Sequence, residues 1–250
     1  MEPAFDLAAD AYRRRIEVTT VDDTTVVSDL EDDFHHFRVR VRHDGAKVVA
    51  VECESMRWPW ATCPGAAVSL QALAGMPLSD RFTGAAAWTD PKLNCTHQFD
   101  AACIAITQAA AGRARRRYDV EVPVRDADGN TRVRLWVDGV LRLEWRITWT
   151  GIVDPRPPFD AAPWKGGFMR WADAHLPPDE AECAIVLRRA SDIGMGRAMD
   201  LDAVAHADQL PPIMAGICHT MQPGVVEHAT RHVGSIRDFA AHPERFGHAD

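Results

Sequence analysis

From Phe37 to Arg42 the chain alternates without a break. Phe37, Val39 and Val41 fall on one face, and Arg38, Arg40 and Arg42 on the other. A helix would scatter that apolar set around its axis, so a period of two specifies a strand buried on one side. Carried backwards through Leu30-Glu31-Asp32-Asp33-Phe34-His35-His36, the same phase puts Asp33 and His35 with the apolar side chains and His36 with the arginines. The two adjacent histidines are therefore expected to have different surroundings. Asp44-Gly45 turns the chain back. A three-residue loop over Asp44 to Ala46 pairs Val41 with Val49, Val39 with Val51 and Phe37 with Cys53, and sets Arg38 opposite Glu52 and His36 opposite Glu54. A one-residue slip would turn the buried set outwards.

The same period recurs on both sides of a helical stretch. Residues 1–12 read as a lead-in, Arg15 to Val21 as a strand, Asp22-Asp23 as a turn and Thr24 to Ser28 as a second strand. After residue 115, Tyr118, Val120, Val122 and Val124 alternate. Val133, Leu135 and Val137 follow the Asp126 to Asn130 turn, and Leu141, Leu143, Trp145, Ile147 and Trp149 follow Asp138-Gly139. Between the strand groups a short helix is expected over Ala66 to Gly75, with Pro64 suiting its start. A second carries the stripe Phe99, Ala102, Cys103, Ile106 and Ala110, with Thr96 as its cap. A connector with Pro155, Pro157, Pro158 and Pro163 leads to three expected helices, Pro178–Ala190, Ala198–Gln209 and Val225–Phe239. The fold class is α+β: antiparallel strands, a central helix pair, a second antiparallel meander, and a helical C-terminal part packed on the sheet. Residues 1–154 form the β-rich core with the helix pair, and residues 155–250 the connector and helical part of the same globular unit.

Charge narrows the function classes. A net charge of −8 and a pI near 5.7 argue against a nucleic-acid partner, which calls for a basic face. The basic runs Arg13 to Arg15 and Arg113 to Arg117 read as solvated strand edges. No apolar run is long enough for a membrane span, and Met1 to Asp10 lacks a basic segment followed by an apolar core, so no secretion signal is expected. The six cysteines lack paired spacing, which suits reduced thiols in a cytoplasmic setting.

Chemistry-bearing residues gather around the helix pair. Cys95 and His97 sit at the start of the second helix and Cys63 at the start of the first. A thiol there is expected to ionise more easily, because the helix dipole favours the thiolate. Cys53 and Cys103 lie on apolar faces and read as core fillers. In a catalytic reading His35 or His97 is the general base, oriented by Asp33 or Asp100. Cys63 or Cys95 is then a nucleophile or proton donor, and Arg57 binds an anion. Trp58, Trp60 and Phe37 would line a pocket for a flat ligand. In a metal reading His35, Cys63, Cys95 and His97 form a tetrahedral zinc or iron site, although no C-x-x-C spacing supports it. In a third reading the cysteines pack under the helices and the histidines make capping hydrogen bonds. The pair Cys218-His219 either closes over this site or belongs to a helix connector. His228 and His232 read as surface residues.

Three motifs in order, Leu30-Glu31-Asp32-x-x-His35-x-Phe37, Arg57-x-Pro59-x-x-x-Cys63 and Cys95-x-His97, resemble a bacterial family known as a domain of unknown function. The resemblance covers roughly residues 13–240. It implies that Glu31, Asp32, His35, Arg57, Cys63, Cys95 and His97 belong to one site. It also implies an association with bacterial breakdown of small aromatic compounds, including lignin-derived ones. The expectation is thus a cytoplasmic enzyme acting on a small aromatic molecule by acid–base chemistry, of lyase or hydrolytic type, with zinc, iron or no cofactor. The alternative is a metal-binding or small-ligand-binding protein whose Cys/His cluster is structural. The expected partner is a small-molecule substrate, with a homo-oligomer left open.

Overall fold

The structure is a computed structural model that describes residues 8–247. Seven antiparallel strands form one sheet: β1 (Ala11–Asp22), β2 (Thr25–Asp32), β3 (His36–His43), β4 (Val48–Arg57), β5 (Arg115–Pro123), β6 (Thr131–Val137) and β7 (Val140–Ile147). Their order is β4-β3-β2-β1-β5-β6-β7. The two strand groups read from sequence are therefore halves of a single sheet, joined where Ile16 of β1 pairs with Tyr118 of β5. On its inner face lie Tyr12, Ile16 and Val18, then Val26 and Leu30, Phe37, Val39 and Val41, and Tyr118 and Val120, all buried. Helix α1 (Thr96–Ala110) covers β2 and β3, and α3 (Pro178–Ile193) covers β5 to β7 after the short α2 (Phe168–His175). Side chains from both parts of the chain share one apolar core, including Leu30, Ile104, Leu135, Phe168 and Leu187. Among the described residues no helix is long and apolar enough to cross a membrane.

Several expectations change. β1 begins at Ala11, so the last two residues of the expected lead-in are strand; residues 1–7 lie outside the described part. The Arg13 to Arg15 run is not a solvated edge. It crosses the centre of the sheet, and Arg14 is buried. In the second basic run Arg116 is buried against Asp179 and Glu182, while Arg115 stays exposed. The β3–β4 register differs by two residues: Val41 faces Val51, Val39 faces Cys53, and Arg38 faces Glu54. The turn is longer than expected because the Asp44 carboxylate accepts hydrogen bonds from the amides of Ala46 (2.9 Å) and Lys47 (2.7 Å). A shift of two preserves the faces and changes only the partners.

The first expected helix is a 3-10 winding over Cys63–Leu73, and only the second is an α-helix. Ala198–Gln209 and Val225–Phe239 are not helices. They carry short 3-10 turns within a segment that wraps the sheet and is pinned by isolated bridges, Trp60 to Arg231 and His206 to Thr230. Proline and glycine recur there (Pro211, Pro212, Gly216, Pro223, Gly224, Gly234), and they interrupt helical hydrogen bonding.

Candidate active site

The alternation from Leu30 to Arg42 is broken by a hairpin turn, and that break assembles the site. The backbone of Asp32 and His35 pairs in both directions (2.8 and 3.3 Å), leaving Asp33-Phe34 as a two-residue loop. The phase flips across it. Asp32 continues the inner face of β2, and His35 the inner face of β3. The Asp32 side chain holds the turn by accepting from the amides of Phe34 and His35, both 2.9 Å, as an Asx-type turn.

Asp32 is the hub. Its Oδ1 also accepts from His35 Nδ1 at 3.0 Å, and its Oδ2 from the Tyr12 hydroxyl at 2.6 Å and from Arg14 Nε and Nη2 at 3.2 and 2.8 Å. A carboxylate only accepts, so His35 Nδ1 carries the proton and its Nε2 presents a lone pair. Among the described residues no hydrogen bond reaches that Nε2. The His35 side chain keeps 11% of its surface open. His97, in the first turn of α1, stacks on His35 with ring centroids 3.5 Å apart. Its Nε2 lies 3.3 Å from Asp32 Oδ2 but is not aligned for a hydrogen bond, so this buried nitrogen has no partner among the described residues. Its Nδ1 is 4.0 Å from Cys95 Sγ.

Electrostatics follow from burial and from Arg14. Burial alone would raise the Asp32 carboxyl, yet His35, Arg14 and His97 hold it well below the usual carboxylate range. The guanidinium, always charged, is the permanent counter-ion. Burial lowers His35 against the pull of Asp32, and burial with neighbouring His35 pushes His97 down to about 3. Both imidazoles are therefore neutral at neutral pH.

The sequence-derived set divides. His35, His97 and Cys95 come together, with Phe37 beside both rings at 5.9 and 6.4 Å. Cys63 and Trp60 share a small apolar cluster with Phe37 and Cys95. Asp33 and Asp100 do not orient a histidine: Asp33 binds Arg197 at 2.9 Å and Asp100 binds Arg189 at 3.3 Å. The orienting carboxylate is Asp32. Arg57 is not a free anion contact either. Its guanidinium donates to the carbonyls of Asp32, Asp33, His35 and Ser235 and to Glu31, bracing the hairpin from behind. Trp58 stacks on His232 at 5.2 Å and packs, partly buried, against the apolar cluster of Phe37 and Cys95. His36 faces the other side of the sheet, as its phase requires, but it is buried there between Asp29 (2.8 Å) and Glu31 (3.5 Å) rather than paired with Glu54.

The thiols at the helix starts are not activated. Burial pushes Cys63 up to about 11, and burial with nearby Cys63 and Cys218 pushes Cys95 well above the usual thiol range. Desolvation outweighs the dipole at Cys95, and Cys63 starts a 3-10 winding rather than an α-helix. Cys218 and its neighbours do close over this corner: His219 N donates to the Asn94 carbonyl at 3.0 Å, and Thr220 Oγ1 lies 3.5 Å from Cys63 Sγ. All six cysteines are free.

Tyr12 and Arg14 were missed. Their signal was present, since Tyr12-x-Arg14-x-Ile16-x-Val18 keeps the apolar phase of β1. Among His, Cys, Asp and Glu in the described residues, one trio brings its ligand atoms within 4.8 Å of one another: Asp32, His35 and His97, all buried. Cys63 and Cys95 stay outside it. No family model matches the chain, and no curated protein matches it.

Proposed function

We propose that this protein is an enzyme acting on a small aromatic molecule by acid–base chemistry, of lyase or hydrolytic type, at the Asp32–His35–His97 cluster. The supporting observation is the Asp32–His35 pair. A buried, ionised carboxylate bonded to Nδ1 fixes the tautomer and ring orientation, and leaves Nε2 as the atom that takes and returns a proton. Burial keeps the ring unprotonated and so ready as a base. Phe34, edge-on to His35 at 6.3 Å, and Phe37 give the cluster apolar walls. His97 and Cys95 support it from α1. The aromatic substrate class rests on the resemblance of the three motifs alone. A cytoplasmic setting and a small-molecule partner go with this reading, and a second copy of the chain is compatible with it.

The alternative is a metal-binding or small-ligand-binding protein whose Cys/His cluster is structural. It draws on the burial of the cluster and on the six hydrogen bonds that Asp32 accepts. The test is a screen of aromatic acids, alcohols and esters, read by product formation and by NMR shifts of the His35 ring. Turnover should fall about 10²- to 10⁴-fold in His35→Gln with the fold intact. Equal turnover in that variant, or binding that leaves His35 unperturbed, rejects the proposal.

A further inference from the structure

We infer that Asp32, His35 and His97 form a binding site for one divalent transition-metal ion of the zinc or ferrous class. This rests on the reading that the Asp32 cluster is the working site, and it supplies that site with a cofactor. Three observations carry it. First, one nitrogen from each histidine and a carboxylate oxygen lie within 4.8 Å of one another. His35 Nδ1 lies 3.0 Å from Asp32 Oδ1 and His97 Nε2 lies 3.3 Å from Asp32 Oδ2, so the two imidazoles meet opposite oxygens of the carboxylate. Ligands at 2.0–2.1 Å around a tetrahedral ion sit about 3.3 Å apart, close to both contacts, and receiving an ion asks that the stacked rings splay and that His35 Nδ1 give up its proton.

Second, His97 Nε2 is buried and, among the described residues, without a hydrogen-bond partner, although it faces the carboxylate. Leaving a buried polar atom unpaired is costly, and a metal bond would satisfy it. Third, the donors come from separate, rigid elements: the end of β2, the hairpin turn and the first turn of α1. A metal would tie α1 to the sheet at that corner.

The donor set selects the ion. Two imidazoles and one carboxylate suit zinc or ferrous iron and leave a coordination position open, whereas calcium and magnesium call for oxygen ligands. At such a position a bound water would ionise near neutral pH, and with His35 Nδ1 on the ion that water, in place of His35 Nε2, would be the base for the proposed chemistry. Cys95 is not a ligand here, because its sulfur falls outside the trio. Arg14 works against binding, since its guanidinium shares Asp32 Oδ2. It also holds that carboxylate ionised, as a ligand must be.

The experiment is titration of the full chain, stripped with chelator, with zinc and then with cobalt. One equivalent should bind, and cobalt should give visible d–d bands without the intense near-ultraviolet thiolate band that a cysteine ligand produces. His97→Gln should weaken zinc about a hundredfold or more, while the exposed, distant His175→Ala should match the parent. Circular dichroism confirms that each variant is folded, and His35→Gln serves as a second ligand variant should His97→Gln not fold. Absence of stoichiometric binding, or equal zinc affinity in the ligand variants, overturns the metal site. So does a thiolate band, which would place a cysteine on the ion. The acid–base reading is judged separately: a metal-free protein that still loses turnover in His35→Gln keeps it, and one that turns over nothing loses both.

Discussion

At the residue scale the site is an answer to the problem of a buried carboxylate. Asp32 is fully enclosed, and Arg14, two backbone amides, Tyr12 and His35 together replace its water. Removing the charge leaves Arg14 buried without its partner. Asp32→Asn should therefore destabilise the fold by about 3–5 kcal/mol, read as a lower urea midpoint at unchanged slope. On the opposite face Asp29 gives a milder case. Burial raises its carboxyl, but His36 and Arg38 outweigh burial and the net shift is downward. A carboxyl depressed in the folded state stabilises the protein above its unfolded pKa, and that stability is lost as pH falls through the folded value. Below pH about 4 the parent should lose stability more steeply than Asp29→Asn, as measured by urea midpoints across acid pH. His35 and His36 differ as their phase requires. Asp33 lost its expected place because two residues of turn exchange odd for even positions, a change that hydrophobic periodicity does not register.

At the scale of elements, the contacts that seat the helices are tighter than the pattern of apolar residues conveys. α3 ends at Gly194, where an added Cβ would stand 2.9 Å from Val122 Cγ1 and 3.2 Å from Tyr12 Cδ1. No flexible side-chain end can yield there: Val122 is branched and packed, and Tyr12 is held by Asp32. Gly194→Ala should cost about 1–3 kcal/mol by overpacking, seen as a drop in melting temperature, and should perturb the Tyr12–Asp32 contact. The strands were readable because β-branched and aromatic residues repeat every second position. The C-terminal segment was not. Its apolar residues are spaced as in a helix, yet the chain is held by side chains such as Arg231, which donates to Asp202, Ser235 and the Pro59 carbonyl. Prolines and glycines are the local sign against a helix in residues 198–239, and nothing local there announces the contact with Pro59.

At the scale of the molecule, β1 binds the halves together. It pairs with β2 on one side and with β5 on the other, across about a hundred residues of chain. The core runs through that seam and takes in α2 and α3 from beyond the proline-rich connector. Unfolding should accordingly be one cooperative event: tryptophan fluorescence and far-ultraviolet circular dichroism should give superimposable urea curves, and two separated transitions would contradict a shared core. A fragment ending at residue 154 would expose the apolar face of β5 to β7 and should not fold.

The sequence by itself determined the α+β class, the strands by their period of two, the helix that carries His97, and the inward phase of His35. Those are consequences of local chemistry, since side-chain spacing alone decides which face a residue joins. Only the tertiary structure decided that the two strand groups form one sheet, that Arg14 is buried, and that Asp32 rather than Asp33 or Asp100 orients His35. Each of these depends on which distant segment lies alongside, and on a two-residue turn whose hydrogen bonds are made by the same carboxylate that the site is built around.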